Sequence, residues 1–164
     1  MFSLLCPEAQ SSLVTAEQVS RFRDLGDPSV VVVEVAKAFE SQLETSFLEP
    51  FCDFLVKKRI QYYGVESRPP LLKGWRLNDR WMLVDVATLL DSGLPEVEEF
   101  AASRGFSIAA LIAPIREVAK EGGKAKHRNA FPLDGAKRLK EKWVRGVPFG
   151  KNIFAPLVKL DALL

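Results

Sequence analysis

Residues 27–55 read DPSVVVVEVAKAFESQLETSFLEPFCDFL, and the spacing of their apolar side chains decides the fold. Val32, Val35, Ala36, Phe39, Leu43, Phe47, Phe51, Phe54 and Leu55 recur at intervals of three and four, which is one stripe of an amphipathic helix. Lys37, Glu40 and Glu44 fall off that stripe. Asp27 is placed to cap the helix and Pro28 to occupy its first position, where a missing N–H costs nothing. The β-branched run at 30–33 has strand propensity, but the four-residue spacing continues through it and favours helix. Pro50 interrupts the pattern, which predicts a kink or a break into two helices there.

Upstream of this segment, residues 15–25 read as a short helix, with Thr15 as N-cap, Gln18 three residues on and Gly26 as the stop. Downstream, Pro69 and Pro70 close the stretch richest in breakers, 64–70, which is the best internal joint of an otherwise single domain, 1–164. Residues 71–86 change character. Two aromatic and aliphatic arms flank Asn78-Asp79, a pair that tolerates the left-handed backbone of a two-residue turn, so a β-hairpin is predicted. The rest returns to helices. One spans 85–90 and one 95–103, the latter with Glu96, Glu98 and Glu99 in its first turn. A third starts at Ser107, kinks at Pro114 and stops at Gly122-Gly123. A fourth spans 135–145 between Asp134 and Gly146, and an apolar tail from 147, broken at Pro148 and Pro156, packs back onto the body. The expected fold is therefore mainly α of the α+β kind: a helical domain with one small β-hairpin near 71–86, in a winged-helix-like arrangement.

With 164 residues, 48% apolar and 27% charged, the chain is ordinary globular material and long enough for one self-sufficient core. This composition excludes a disordered tail, a collagen-like rod and a mucin-like stalk. No stretch approaches 18 uninterrupted apolar residues, the N-terminal residues lack the pattern of a secretory signal, and the two cysteines, Cys6 and Cys52, are too few for a disulfide scaffold. These features together predict a cytoplasmic protein with no membrane partner.

The motif search turns up little chemistry. Neither a dinucleotide fingerprint, a phosphate loop nor a nucleophile elbow occurs. His127 is the one histidine, so a His-rich metal site is impossible. Cys52 lies among Phe51, Phe54 and Leu55, which favours a buried neutral thiol over a nucleophile paired with His127. The carboxylates sit on helix faces meant for solvent. No catalytic residue, metal ligand or cofactor is predicted, and the expectation is a non-enzymatic protein.

Charge is the positive signal. The net charge of +2 divides into −6 over 1–56, +5 over 57–80, −4 over 81–115 and +7 over 116–164. Either the basic blocks meet in one positive face, or they pair with the acidic ones inside the fold. In 135–145, Ala136, Leu139 and Trp143 fall within about 60° on a helical wheel, leaving Lys137, Arg138, Lys140, Lys142 and Arg145 around the rest. Lys124, Lys126 and Arg128 precede them in a Gly-punctuated loop. Lys57, Lys58 and Arg59 stand near Tyr62 and Tyr63. Cations beside aromatics, and a basic loop beside a basic helix, suit contact with a nucleic-acid backbone. The sequence thus predicts a small accessory or regulatory protein that docks DNA or RNA electrostatically through these residues. The alternative is an adaptor that binds an acidic or helical protein partner without nucleic acid. No feature of the chain sets an oligomeric state.

Overall fold

The computed structural model describes residues 2–21, 27–58, 62–63, 75–76, 82–126, 131–146 and 152–161. The described chain is helical. After a short 3-10 turn, Phe2–Leu4, come α1 (Pro7–Arg21), α2 (Ser29–Leu43), a π-helical turn (Glu44–Leu48) and α3 (Glu49–Lys57). They are followed by α4 (Leu83–Leu90), α5 (Pro95–Ser103), α6 (Ile108–Lys126), α7 (Leu133–Arg145) and α8 (Ala155–Asp161).

The 27–55 stripe is the centre of the core. Val32, Val35, Ala36, Phe39, Leu43, Phe47, Phe51 and Leu55 are buried, and Phe54 packs against them half-buried. Asp27 acts as the expected start signal, its Oδ1 accepting the Ser29 N–H at 2.9 Å. α2 is flanked by α1, α6 and α7, and Val31, Val32, Val35, Ala36, Ala38, Phe39 and Leu43 make up its buried apolar side. At Pro50 the chain neither breaks nor ends. The preceding turn widens to π geometry instead, which relieves the clash that a proline ring makes with the carbonyl four residues back. The same turn keeps the stripe in line. Phe39, Leu43, Phe47, Phe51 and Leu55 are spaced by four, and at about 100° per residue each step runs about 40° ahead of the helix turn. One wider turn absorbs that drift. Around it Phe47 stacks on Phe51 at 5.6 Å, and Phe100 of α5 meets both edge-on at 5.8 and 5.2 Å. Buried Gln42 secures the junction: its Nε2 donates to Ser46 Oγ and its Oε1 accepts the Cys6 N–H, each at 2.7 Å.

The expected β-hairpin at 71–86 is overturned, and with it the α+β class and the winged-helix-like arrangement. The described part of its second arm leads into a helix: Met82 is the extended N-cap of α4, and its N–H donates to Asp85 Oδ2 at 3.0 Å. Val86, Ala87, Leu89 and Leu90 recur at helical spacing and bury one face of α4 against α6. That burial outweighs the strand propensity of Val84 and Val86, since β propensity is mostly a statement about packing. Among the described residues the only extended pairing is a two-residue ladder. It joins Tyr62–Tyr63 (β1) to Trp75–Arg76 (β2), with Tyr62 opposite Arg76 and Tyr63 opposite Trp75. It forms neither a sheet layer nor a wing. The turn at Asn78-Asp79 and the joint at 64–70 lie outside the described residues.

Helix boundaries also differ from expectation: α4 starts at Leu83, and α7 at Leu133, with Asp134 in its first turn and not its cap. α1 begins at Pro7, so Thr15 is mid-helix, its hydroxyl donating to the Ser11 carbonyl. α6 passes through Pro114 and through Gly122-Gly123 to Lys126. A Cβ on Gly122 would stand 3.0 Å from Ala36 Cβ, so this glycine lets α6 approach α2 and does not stop a helix. Pro156 is the second residue of α8 and does not break it; Ile153, Phe154, Leu157 and Leu160 carry this tail into the core. Gly105 and Gly146, at φ of 61° and 72°, do end α5 and α7 as read.

Candidate interaction groove

α7 is the most strongly amphipathic element, and it decides where the predicted cations go. Ala136, Lys140 and Trp143 share its buried face. Lys140 is therefore not part of a positive surface: only 8% exposed, its Nζ donates to Glu17 Oε2 at 2.7 Å and to Ser20 Oγ at 2.8 Å, both on α1. Glu17 in turn accepts Arg21 Nε and Nη2 on Oε1, at 3.2 Å each. The hydrogen bond from Lys140, then its charge and those of Arg21, hold the Glu17 carboxyl below its ordinary range against the opposing effect of burial. Lys140 also lies 3.9 Å from Glu141 Oε1, while Glu141 Oε2 pairs with Arg145 Nη1 at 3.2 Å.

The other predicted cations are dispersed. Lys142 Nζ and Trp143 Nε1 both donate to Glu117 Oε1 at 2.7 Å. Lys124 and Lys126, expected in a loop, lie on the last turn of α6. Lys124 pairs with Glu121 at 2.9 Å and Lys126 with Glu40 at 3.1 Å. Lys58 pairs with Glu99 and lies 5.4 Å from the Phe54 ring centroid. Lys57, at the end of α3, Lys137 and Arg138 make no ion pair among the described residues; Arg59 and Arg128 fall outside them, as does His127. Among the described members of the predicted set, Lys140 and Arg145 share one lining, on the seam between α1 and α7.

That seam is a groove of about 560 Å³. Leu13 and Ala16 of α1 and Val35 of α2 form buried parts of its lining, and Val144 of α7 is half-buried beside them. Phe2 and Val14 line it too and remain 46% and 44% exposed. Its charged residues are Glu17, Arg21, Lys140, Glu141 and Arg145. They form one alternating chain, Arg21–Glu17–Lys140–Glu141–Arg145, that crosses from α1 to α7. An apolar slot bordered by ordered charges can bind an amphipathic surface.

Sequence reasoning missed the groove because Phe2, Val14 and Val144 are far apart in the chain. A signal for Lys140 was present, however: it stands about 40° beyond Ala136 on the wheel, between Ala136 and Val144, and a lysine between two apolar positions requires a carboxylate partner.

Burial, then the negative charges of Asp53 and Glu49, push the Cys52 thiol up, away from the reactive thiolate. Among the described residues no group of three or more His, Cys, Asp or Glu side chains is placed to hold a metal ion, and no helix is long and apolar enough to cross a membrane. Comparison of the chain with protein-family models, with curated proteins and with solved structures found no match.

Proposed function

We propose that this protein is a small, non-enzymatic adaptor, accessory or regulatory in role, that receives a helical segment of a partner protein in the groove between α1 and α7. The observation that carries the reading is the groove itself: an apolar floor with Phe2 and Val14 left open beside it. Helix-in-groove recognition uses such a slot, reading apolar anchors at i, i+3, i+4 and i+7. The cytoplasm is the proposed site of action, since Cys6 and Cys52 are both thiols and thiols persist in reducing compartments.

The test is fluorescence anisotropy with labelled amphipathic helical peptides bearing leucine anchors and neutral polar faces. Binding is expected, and Val14→Glu should weaken it by about tenfold, equivalent to about 1.4 kcal/mol. Absence of binding, or binding indifferent to Val14→Glu and Phe2→Ala, contradicts the reading.

Nucleic-acid backbone contact is the second reading. One observation favours it: Lys137 and Arg138 are adjacent on α7, Arg138 is exposed, and neither is ion-paired among the described residues. Two unpaired cations make a small footprint, because affinity for a nucleic-acid backbone grows with the number of phosphates neutralised. This reading predicts salt-dependent binding of an oligonucleotide that Lys137→Glu with Arg138→Glu abolishes.

A further inference from the structure

The five charges bordering the α1/α7 groove are not equivalent. Glu17 accepts hydrogen bonds on both carboxylate oxygens, from Lys140 on one and from Arg21 on the other. Glu141 is engaged by Arg145 on Oε2 and has Lys140 beside Oε1. Lys140 is buried between them, and Ser20 takes a further donor of its ammonium group. The three inner members of the chain are thus paired on both sides, and both ends are arginines. Arg21 is 76% exposed and Arg145 65% exposed. A guanidinium has five N–H donors. Arg21 directs only Nε and one Nη toward Glu17, and Arg145 only one Nη toward Glu141. The groove's charged border holds three cations against two carboxylates, a net charge of +1, and its most exposed members are the two arginines, which keep unused donors at its ends. A ligand that complements it presents acceptors and negative charge in the same places.

We infer that the segment the groove receives is an acidic amphipathic helix of a partner protein, whose apolar face lies on Leu13, Val14 and Val144 while carboxylates flanking that face are taken up by Arg21 and Arg145. The inference rests on the groove being a docking site, and it adds which partner chemistry is selected. Arginine is suited to the task because its planar fork grips a carboxylate with two parallel hydrogen bonds while keeping other donors for its resident partner. Lys140 takes no part in recognition: it fixes α1 to α7 and so fixes the spacing of the two arginines.

Three peptides with one apolar face and with acidic, neutral or basic flanks separate the possibilities when titrated against the full chain by anisotropy. In about 50 mM salt the acidic peptide should bind about tenfold more tightly than the neutral one, and the gap should shrink severalfold by about 500 mM salt, where the screening length falls toward 3–4 Å. The double variant Arg21→Glu/Arg145→Glu, at exposed positions that leave the helical circular dichroism unchanged, should reverse the order so that the basic peptide binds best. Equal affinity of the three peptides, or an order unaffected by the double variant, overturns the acidic-helix inference and leaves the groove reading standing. No binding of any peptide overturns both. Concentration-dependent self-association that Val14→Glu disperses identifies the occupant as a second copy of this chain and overturns the inference. Competition by a single-stranded oligonucleotide that depends on Lys137 and Arg138 overturns it in favour of nucleic acid.

Discussion

Lys140 shows how one residue sets the architecture of the candidate site. A lysine on the buried face of α7 is tolerable only because Glu17 and Ser20 meet its ammonium group. Removing one partner of such a pair strands the other in a site that water reaches poorly. Glu17 is 43% exposed, so the cost is well below that of a fully buried pair. Lys140→Met is expected to destabilise the fold by about 1–2 kcal/mol in urea denaturation. The pH dependence has a definite sign. The Glu17 carboxyl is held below its ordinary value of 4.5, so its contribution is fully present above about pH 4.5. It is lost as pH falls through the lower native value. Glu17→Gln should therefore be less stable than the parent at pH 7, and the two stability curves should converge on acidification. A difference that persists unchanged at low pH contradicts the assignment. Cys52, expected to be a buried thiol from its three apolar neighbours, is half-buried. Its pKa is raised, so it should react slowly with thiol reagents at pH 8, the reaction quickening on unfolding.

At the scale of elements, periodicity was readable where a helix has one apolar face and failed where propensity and packing disagree. The 27–55 stripe determines α2 and α3 because its spacing exceeds any local preference. The π turn was also written there, in the repeated interval of four from Phe39 to Leu55, a pattern too slow for an unbroken α-helix. The 71–86 hairpin failed because its second arm is β-branched and apolar, a run whose composition cannot tell a strand from one helix face. Gly122-Gly123 misled for another reason. A glycine pair signals a stop from sequence, yet Gly122 is a contact point and Gly123 has open space around its Cα. The two therefore respond oppositely. Gly123→Ala should stabilise by about 0.5 kcal/mol through helix propensity. Gly122→Val, forced against buried Ala36, should destabilise by about 2 kcal/mol. Equal effects at both positions in thermal or urea unfolding contradict the proposed α2/α6 approach. Phe47→Ala, at the centre of the aromatic cluster, should cost about 3–5 kcal/mol.

For the whole molecule, the alternation of acidic and basic blocks along the chain becomes a set of pairs in space. Glu17 and Glu40 of the first block meet Lys140 and Lys126 of the last. Glu99 of the third meets Lys58 of the second, and Asp91 meets Arg116. The block totals were legible in the sequence; the pairing was not, because it depends on helix packing that brings together residues up to 123 positions apart. Among the described residues two surfaces stand apart from this pairing: the apolar groove with an arginine at each end of its charged border, and Lys137 with Arg138 on α7. These two surfaces predict different partners. Titration of the isotope-labelled protein with the acidic amphipathic peptide, followed by amide chemical shifts, distinguishes them most directly. The account predicts perturbations concentrated at Leu13, Val14, Gln18, Arg21, Val144 and Arg145. Perturbations centred on Lys137 and Arg138 with those six positions silent, or no perturbation at a saturating concentration of peptide, contradict it.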